Sequence, residues 1–374
     1  MRLVAVLRLR IIQKILIGFV HAGSGFAAEI LVDSRRRLLF GAFQTSLSGN
    51  GVRTVANPNS LIRSFLRRPL MLDPGDLDLV RRGFSPASPA VQPKLDAVVR
   101  SFAAGYNAMI TGRPGEQAFP DMSPELRGFA FEGAAMSAVL LDLLTLTGGR
   151  RLATLHRHAG RRYAHLIHVG AGWAFARLHV NPWTAIRAHQ PVLRWLAWDG
   201  WGFHQAFFRP EAVFDGQVER SARGAVLSIR DQGTGRALWF YAGADPARIA
   251  DVIGGFPQGR RADLWAGIGL AAGYTGAQPA DVLERLLQVS DGYHDHLAQG
   301  AAFAAKAHCL SGVVTSEVAS AVKLLTGAET DVAAAWTDTA LAAVKTAEDS
   351  PQTYERWRAG TRHAWSLHSG GGER

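Results

Sequence analysis

The sequence predicts an all-α protein in which residues 61–374 form a single large helical domain. Three observations point that way. After Ser123 the apolar residues Met136, Val139, Leu140, Leu143 and Leu144 fall at i, i+3, i+4, i+7 and i+8, the stripe of a helix and not of a strand. Ser123-Pro124, Asp245-Pro246 and Ser350-Pro351 each set a capping side chain before a proline suited to a first helical turn. Only residues 218–230 read ambiguously, because Ala225-Val226-Leu227-Ser228-Ile229 suits a short strand; the segment is taken as irregular.

In chain order, helices are expected at about 92–111, from Ser123 through Leu144, and at about 163–178 and 191–208. Others follow at about 246–254, opened by Asp245-Pro246, then 261–275, 279–289, 293–307 and 331–347, and at about 351–366, opened by Ser350-Pro351. Loops join them, notably 113–120.

Composition narrows the class. Hydrophobic residues at 48% against 19% charged mark a globular chain, and 40 glycines mean that small residues matter for packing. The net charge of +10 is uneven: residues 1–60 hold eight Lys/Arg and two Asp/Glu, leaving 33 against 29 for the rest. The remainder is ordinary for a cytosolic protein, and no base-stacking aromatics lie in basic stripes, so nucleic acid is not an expected partner. Residues 1–60 read as extraneous to the native protein or as a disordered basic segment. A signal peptide and a genuine basic tail are the alternatives. The apolar stretch at 11–20 is too short to span a bilayer as a helix. A single cysteine, Cys309, leaves no internal disulfide or cysteine zinc site and fits a soluble protein of the reducing cytoplasm.

An internal duplication is suggested over about 124–208 and 233–307. Arg127, Phe131 and Asp142 correspond to Arg236, Phe240 and Asp251 at a shift of 109, and Arg161, Arg162 and Gly170 to Arg260, Arg261 and Gly269 at 99. Gly200 and Phe203 correspond to Gly300 and Phe303 at 100. Shared helix composition is the alternative account. Under a duplication the unpaired polar residues Glu132, His165, His168 and His204 mark where the first half diverged.

Those residues head the candidate list. Glu132 lies on the apolar stripe with Met136 and Val139, so it is either a general acid or base with a raised pKa, or half of a buried pair with Arg127 or Arg236. His165 and His168 share a helical face; with Glu132 or Asp199 they could complete a metal site, against the commoner reading of satisfied core histidines, and no metal ligand is assigned. Asp199 and His204 share the segment 198–204 with Trp198, Trp201, Phe203 and two glycines, either as a pocket for a flat or polyene-like ligand or as a helix-to-helix corner. Catalytic candidates are thus Glu132, His165, His168, Asp199 and His204. Substrate-binding candidates are Trp173, Trp201, Phe203, Arg236, Arg261, Asp263 and Trp265. The stretch Arg230–Arg236 reads as a self-paired Arg/Asp loop, and His156 and His158 as an exposed turn. There is no Gly-x-Ser-x-Gly elbow, no His-Glu-x-x-His, no Rossmann fingerprint and no Asp-Asp-x-x-Asp cluster, and the residues name no cofactor.

Seven blocks in order carry a resemblance: Arg81–Phe84, Gly128–Met136, His168–Ala174, Asp199–His204, Asp231–Gly233, Arg261–Gly267 and Gln299–Phe303. Over about residues 68–345 the chain resembles a bacterial domain-of-unknown-function family that includes the UnbL-type proteins encoded beside iterative polyketide synthases in enediyne biosynthesis clusters. The resemblance implies a setting in bacterial specialised metabolism, and carries over no catalytic residues. Two functions are expected to compete. One is an enzyme or binding protein for a long unsaturated polyketide or lipid-like intermediate. The other is a non-catalytic protein that grips a synthase or a membrane-associated assembly. Convergence of the polar set on one cavity favours the first.

Overall fold

Among the described residues, Gln92–Thr111 forms the first long helix, α1: Pro93 stands in its first turn and Gly112, at φ 84°, takes the left-handed conformation that ends it. The computed structural model describes residues 70–112, 121–181, 191–216, 222–276 and 278–370, so the expectation for residues 1–60 lies outside them. After α1 come α2 (Arg127–Thr145), α3 (Arg150–Leu178), α4 (Leu196–Phe208) and α5 (Gly224–Tyr241). They are followed by α6 (Pro246–Gly255), α7 (Gln258–Thr275), α8 (Ala280–Val289) and α9 (His294–Ser311). The chain closes with α10 (Ser316–Thr326), α11 (Thr330–Ala343) and α12 (Pro351–Gly370). Among the described residues there is no strand. The protein is an all-α, single helical domain.

Most expected helices are present within a turn of their expected ends, and several differences have clear causes. Asp245 caps α6 by accepting from the Arg248 amide at 2.8 Å, and Ser350 Oγ accepts from the Thr353 amide at 3.2 Å. Ser123 makes no such bond, because a 3-10 turn, Pro124–Leu126, precedes α2. The expected start at 163 is a kink: Tyr163 departs from helical geometry inside α3, which begins at Arg150. His156 therefore lies on a helix and not in a turn. Residues 224–230, read as irregular, open α5, and Arg230–Arg236 is its buried interior and not a loop. The helix α10 had no counterpart among the expected elements.

Glycines decide the packing. Helices α1, α2, α3, α4, α5, α7 and α9 pack each against the next. At every junction a mid-helix glycine lies against a backbone carbonyl: Gly133 against Phe102, Gly170 against Glu132, Gly200 against Val169, Gly233 against Asp199, Gly267 against Gln232 and Gly300 against Ala266. A Cβ on any of them would fall 1.9–2.0 Å from that oxygen. Two residues later, Gly172, Gly202, Gly235 and Gly269 meet the following helix in the same way. Glycine inside a helix costs roughly 0.5–1 kcal/mol against alanine. Here the cost is offset by backbone approach that no other residue permits.

The array curls on itself, so that α9 returns to α3 and α7 to α1, while α11 and α12 close over α9 and α12 also reaches α5. The segment Pro124–Thr145 is long and apolar enough to cross a membrane, but 94% of its most apolar window is buried, the position of a core helix.

This recurrence does not follow the expected duplication. Asp142 lies on α2 but Asp251 on the separate helix α6, and Arg127 opens α2 whereas Arg236 sits deep in α5. Gly170 meets the preceding helix and Gly269 the following one, so Gly267 is the structural counterpart of Gly170. What recurs is a single helix with its Gly-x-Gly or Gly-x-Ala element.

Candidate functional site

The inside of the curl is hollow. A cavity of about 920 Å3, counting open solvent at its mouth, is walled by Phe129 of α2, His165 and Val169 of α3, Phe240 of α5, Leu270 of α7 and Phe303 of α9, with Arg236 as a charged member. At one side of it stand Leu310, 40% exposed, and the Lys306–Asp338 ion pair at 2.7 Å, with side chains 28% and 55% exposed. A second cavity of about 450 Å3 is walled by Phe102, Trp173, Phe203 and Phe207, and Glu132 is its carboxylate. Phe129, Arg236 and Phe240 border both.

Arg236 organises the polar part of this interior. Its Nη1 donates to Asp199 Oδ1 at 2.5 Å, and its Nη2 stands 3.6 Å from Glu132 Oε1. The guanidinium lies over the Phe203 ring, 5.0 Å from its centroid. Gln232 Nε2 donates to Asp199 Oδ2 at 2.7 Å and to the Tyr354 hydroxyl at 3.2 Å, so Asp199 is held through both oxygens. A buried guanidinium needs such paired acceptors to offset its desolvation. Asp199 is the better placed, because its bond is short and direct.

Glu132 is differently situated. It is 2% exposed, and its Oε1 has no hydrogen-bond partner. Burial pushes its pKa up to about 7, against the opposing pull of Arg236 and with the nearby Asp199 adding to the rise. Trp173 stands close enough to Glu132 to lower that value somewhat, yet its buried indole N–H makes no hydrogen bond of normal geometry. The second cavity thus presents a carboxyl group with a pKa of about 7, an indole N–H only loosely engaged by it and a guanidinium, in walls otherwise apolar. Such a set can exchange a proton with a bound organic molecule.

The sequence places the chain in a family. Residues 61–365 match the family described as protein of unknown function (DUF1702). The chain belongs to that family. No curated protein and no solved structure matches it.

In this DUF1702 chain the expected catalytic residues divide. Glu132, Asp199 and His165 gather around Arg236. His165 borders the larger cavity with both ring nitrogens shielded and without hydrogen-bond partners, although the residue as a whole is only half-buried. Burial, with the positive fields of His308, His168 and Arg236, brings its pKa down to about 3, so it is neutral at ordinary pH. His168 packs against His156: the two rings lie 4.8 Å apart, and Nδ1–H donates to the Ala164 carbonyl at 2.6 Å. His204 packs between the rings of Trp173 and Phe208, and burial with Arg177 nearby brings its pKa well down. Among the described residues no three His, Cys, Asp or Glu side chains are close enough to share a metal ion.

The expected ligand-contacting residues divide likewise. Trp173, Phe203 and Arg236 line the second cavity. Trp201 is stacked by Arg230, whose Cζ lies 4.8 Å from its ring, and Trp265 is a core residue 2% exposed. Arg261 donates to the carbonyls of Phe256 and Gly254, both at 2.7 Å, at the end of α6. Asp263 pairs with the fully buried Arg358 at 2.8 Å, and Asp231 with Arg260 across α5 and α7. Phe129, Gln232, Phe240, Tyr274 and Tyr354 border or brace the site without having been singled out from the sequence.

Proposed function

We propose that the protein binds a long, apolar, unsaturated chain of polyketide or lipid-like origin inside the curl of its helices. The observation that carries this reading is the apolar cavity between α2, α3, α5, α7 and α9, which shares Phe129, Arg236 and Phe240 as wall residues with a second, aromatic one. Apolar cavities with a few placed polar groups suit organic ligands that bury most of their surface. The aromatic walls favour conjugated chains over saturated ones. Arg236 is already engaged by Asp199 and faces Glu132, so the part of the ligand that reaches it is uncharged. An anionic or carrier-linked end remains beside Lys306. The resemblance of the seven sequence blocks to UnbL-type proteins supports a polyketide within this class.

Fluorescence titration with parinaric acid tests the reading. Saturable binding is expected, displaced by a neutral polyene and abolished by Ala271→Trp, which fills the cavity from α7. Affinity unchanged in that variant would remove the cavity from consideration.

A further inference from the structure

We propose that Glu132, Trp173 and Arg236 form a proton-transfer site that isomerises a β,γ-unsaturated carbonyl chain, moving its double bond into conjugation with the carbonyl. This rests on the reading of the cavities as a chain-binding site and adds a reaction to it. Three features converge. Glu132 Oε1 is buried without a hydrogen-bond partner at the edge of a cavity otherwise walled by Phe102, Phe129, Phe207 and Phe240. The Trp173 indole N–H is also buried, and Trp173 lines the same cavity. The Glu132 carboxyl and the Trp173 N–H meet each other and Arg236 only loosely, without a hydrogen bond of normal geometry, and each loses free energy that a ligand offering a carbonyl oxygen and an acidic C–H would recover. Arg236 supplies positive charge at the same border, held in place by Asp199.

The chemistry balances without an added reactant. The Glu132 carboxylate accepts the proton from the carbon between the carbonyl and the double bond. The electron pair of that C–H bond enters the π system as a dienolate, whose negative charge resides on the carbonyl oxygen beside the Trp173 N–H and Arg236. Protonated Glu132 then returns its proton to the γ-carbon, the dienolate electrons close the α,β double bond, and the carboxylate is regenerated. A base of pKa near 7 suits both transfers. The paired carboxyl groups around Arg236 disfavour a free acid at this point, so the carbonyl belongs to a ketone or thioester.

The test uses the full chain with the N-acetylcysteamine thioester of trans-3-decenoic acid deuterated at the α-carbon, in H2O, following conjugation by absorbance and transfer of deuterium to the γ-carbon by mass spectrometry. Displacement of parinaric acid by the same thioester measures binding independently. The wild type is expected to isomerise the thioester and label its γ-carbon. Glu132→Gln is expected to lose roughly 100-fold or more in rate, and Trp173→Phe, which keeps the ring and removes the donor, roughly 10- to 100-fold, with binding retained in both. A thioester that binds without labelling, or labels equally in Glu132→Gln and Trp173→Phe, overturns this proposal alone. One that does not bind overturns it together with the cavity reading.

Discussion

Gly233 of α5 rests on the carbonyl of Asp199 of α4, so close that a Cβ at 233 would fall 1.9 Å from the oxygen and 2.7 Å from its carbon. The contact sets the distance between the helix that carries Asp199 and the one that carries Gln232 and Arg236. Gly233→Ala should therefore separate the helices and loosen the Arg236–Asp199 bond. Overpacking of this kind costs about 1–3 kcal/mol or more. Gly259→Ala, on α7 with nothing within 4 Å of the added Cβ, should be neutral or stabilising by up to about 1 kcal/mol. Urea denaturation of the two variants compares them directly, and equal losses would show that the glycine contacts do not govern stability.

The raised pKa of Glu132 fixes the sign of a pH effect. Its folded value of about 7 exceeds the ordinary 4.5, so the folded protein holds the proton more tightly than the unfolded chain. The stabilisation is fully present below pH 4.5 and is lost as pH rises through 7. The shift corresponds to roughly 3 kcal/mol. Relative to Glu132→Gln, the wild type should lose stability between pH 5 and 8, measured by chemical denaturation at intervals. Parallel curves for the two proteins would mean that Glu132 titrates as an ordinary carboxylate.

How far the site was legible follows from the same glycines. The stripe of α2 and the Asp245 and Ser350 caps were readable because they obey local rules. Residues 224–236 were misread because Gly233 and Gly235 resemble loop glycines until the neighbouring carbonyls of Asp199 and Leu264 explain them. A better signal was present: Gly170-x-Gly172, Gly200-x-Gly202, Gly233-x-Gly235 and Gly267-x-Gly269 occur once in each of α3, α4, α5 and α7. The residue three after each first glycine, Trp173, Phe203, Arg236 and Leu270, borders one of the cavities, as does Phe303 after Gly300. The residue just before the packing glycine is polar at four of the six junctions, Glu132 before Gly133, Asp199 before Gly200, Gln232 before Gly233 and Gln299 before Gly300, with Val169 and Ala266 at the other two. Arg236 is the charged member of an otherwise apolar layer, and that exception locates the site. The different surroundings of His165, at the larger cavity, and His168, against His156, were beyond such reasoning, since both fit the helical period.

His168 has a pH effect of opposite sign to that of Glu132. Burial and the nearby His156 bring its pKa down to about 3 from 6.5, so the folded protein binds its proton less readily than the unfolded chain. The stability it permits is present above pH 6.5 and is lost as pH falls toward 3. His168→Phe keeps a ring against His156 and removes the titration. Its acid limb should be flatter than that of the wild type in thermal melts between pH 7 and 4. An unchanged limb would place the acid sensitivity elsewhere, with His165 the next candidate.

Asp263, a candidate ligand contact in the sequence, is engaged by the fully buried Arg358, whose other donors reach Glu355 at 2.9 Å and Gln299 at 3.2 Å. This network ties α12 to α7 and α9, and so closes the curl. Arg358→Met leaves Asp263 as an uncompensated buried charge, and removing one member of such a pair costs about 3–5 kcal/mol. Adding Asp263→Leu removes the stranded charge as well and should restore much of the loss, because a buried ion pair contributes little beyond an apolar pair of similar volume. Asp263→Asn separates the two roles: with Asp263 acting only as the partner of Arg358, denaturation should reveal a loss of stability while parinaric acid affinity stays unchanged in the folded fraction. Weaker binding at undiminished stability would instead return Asp263 to the ligand site.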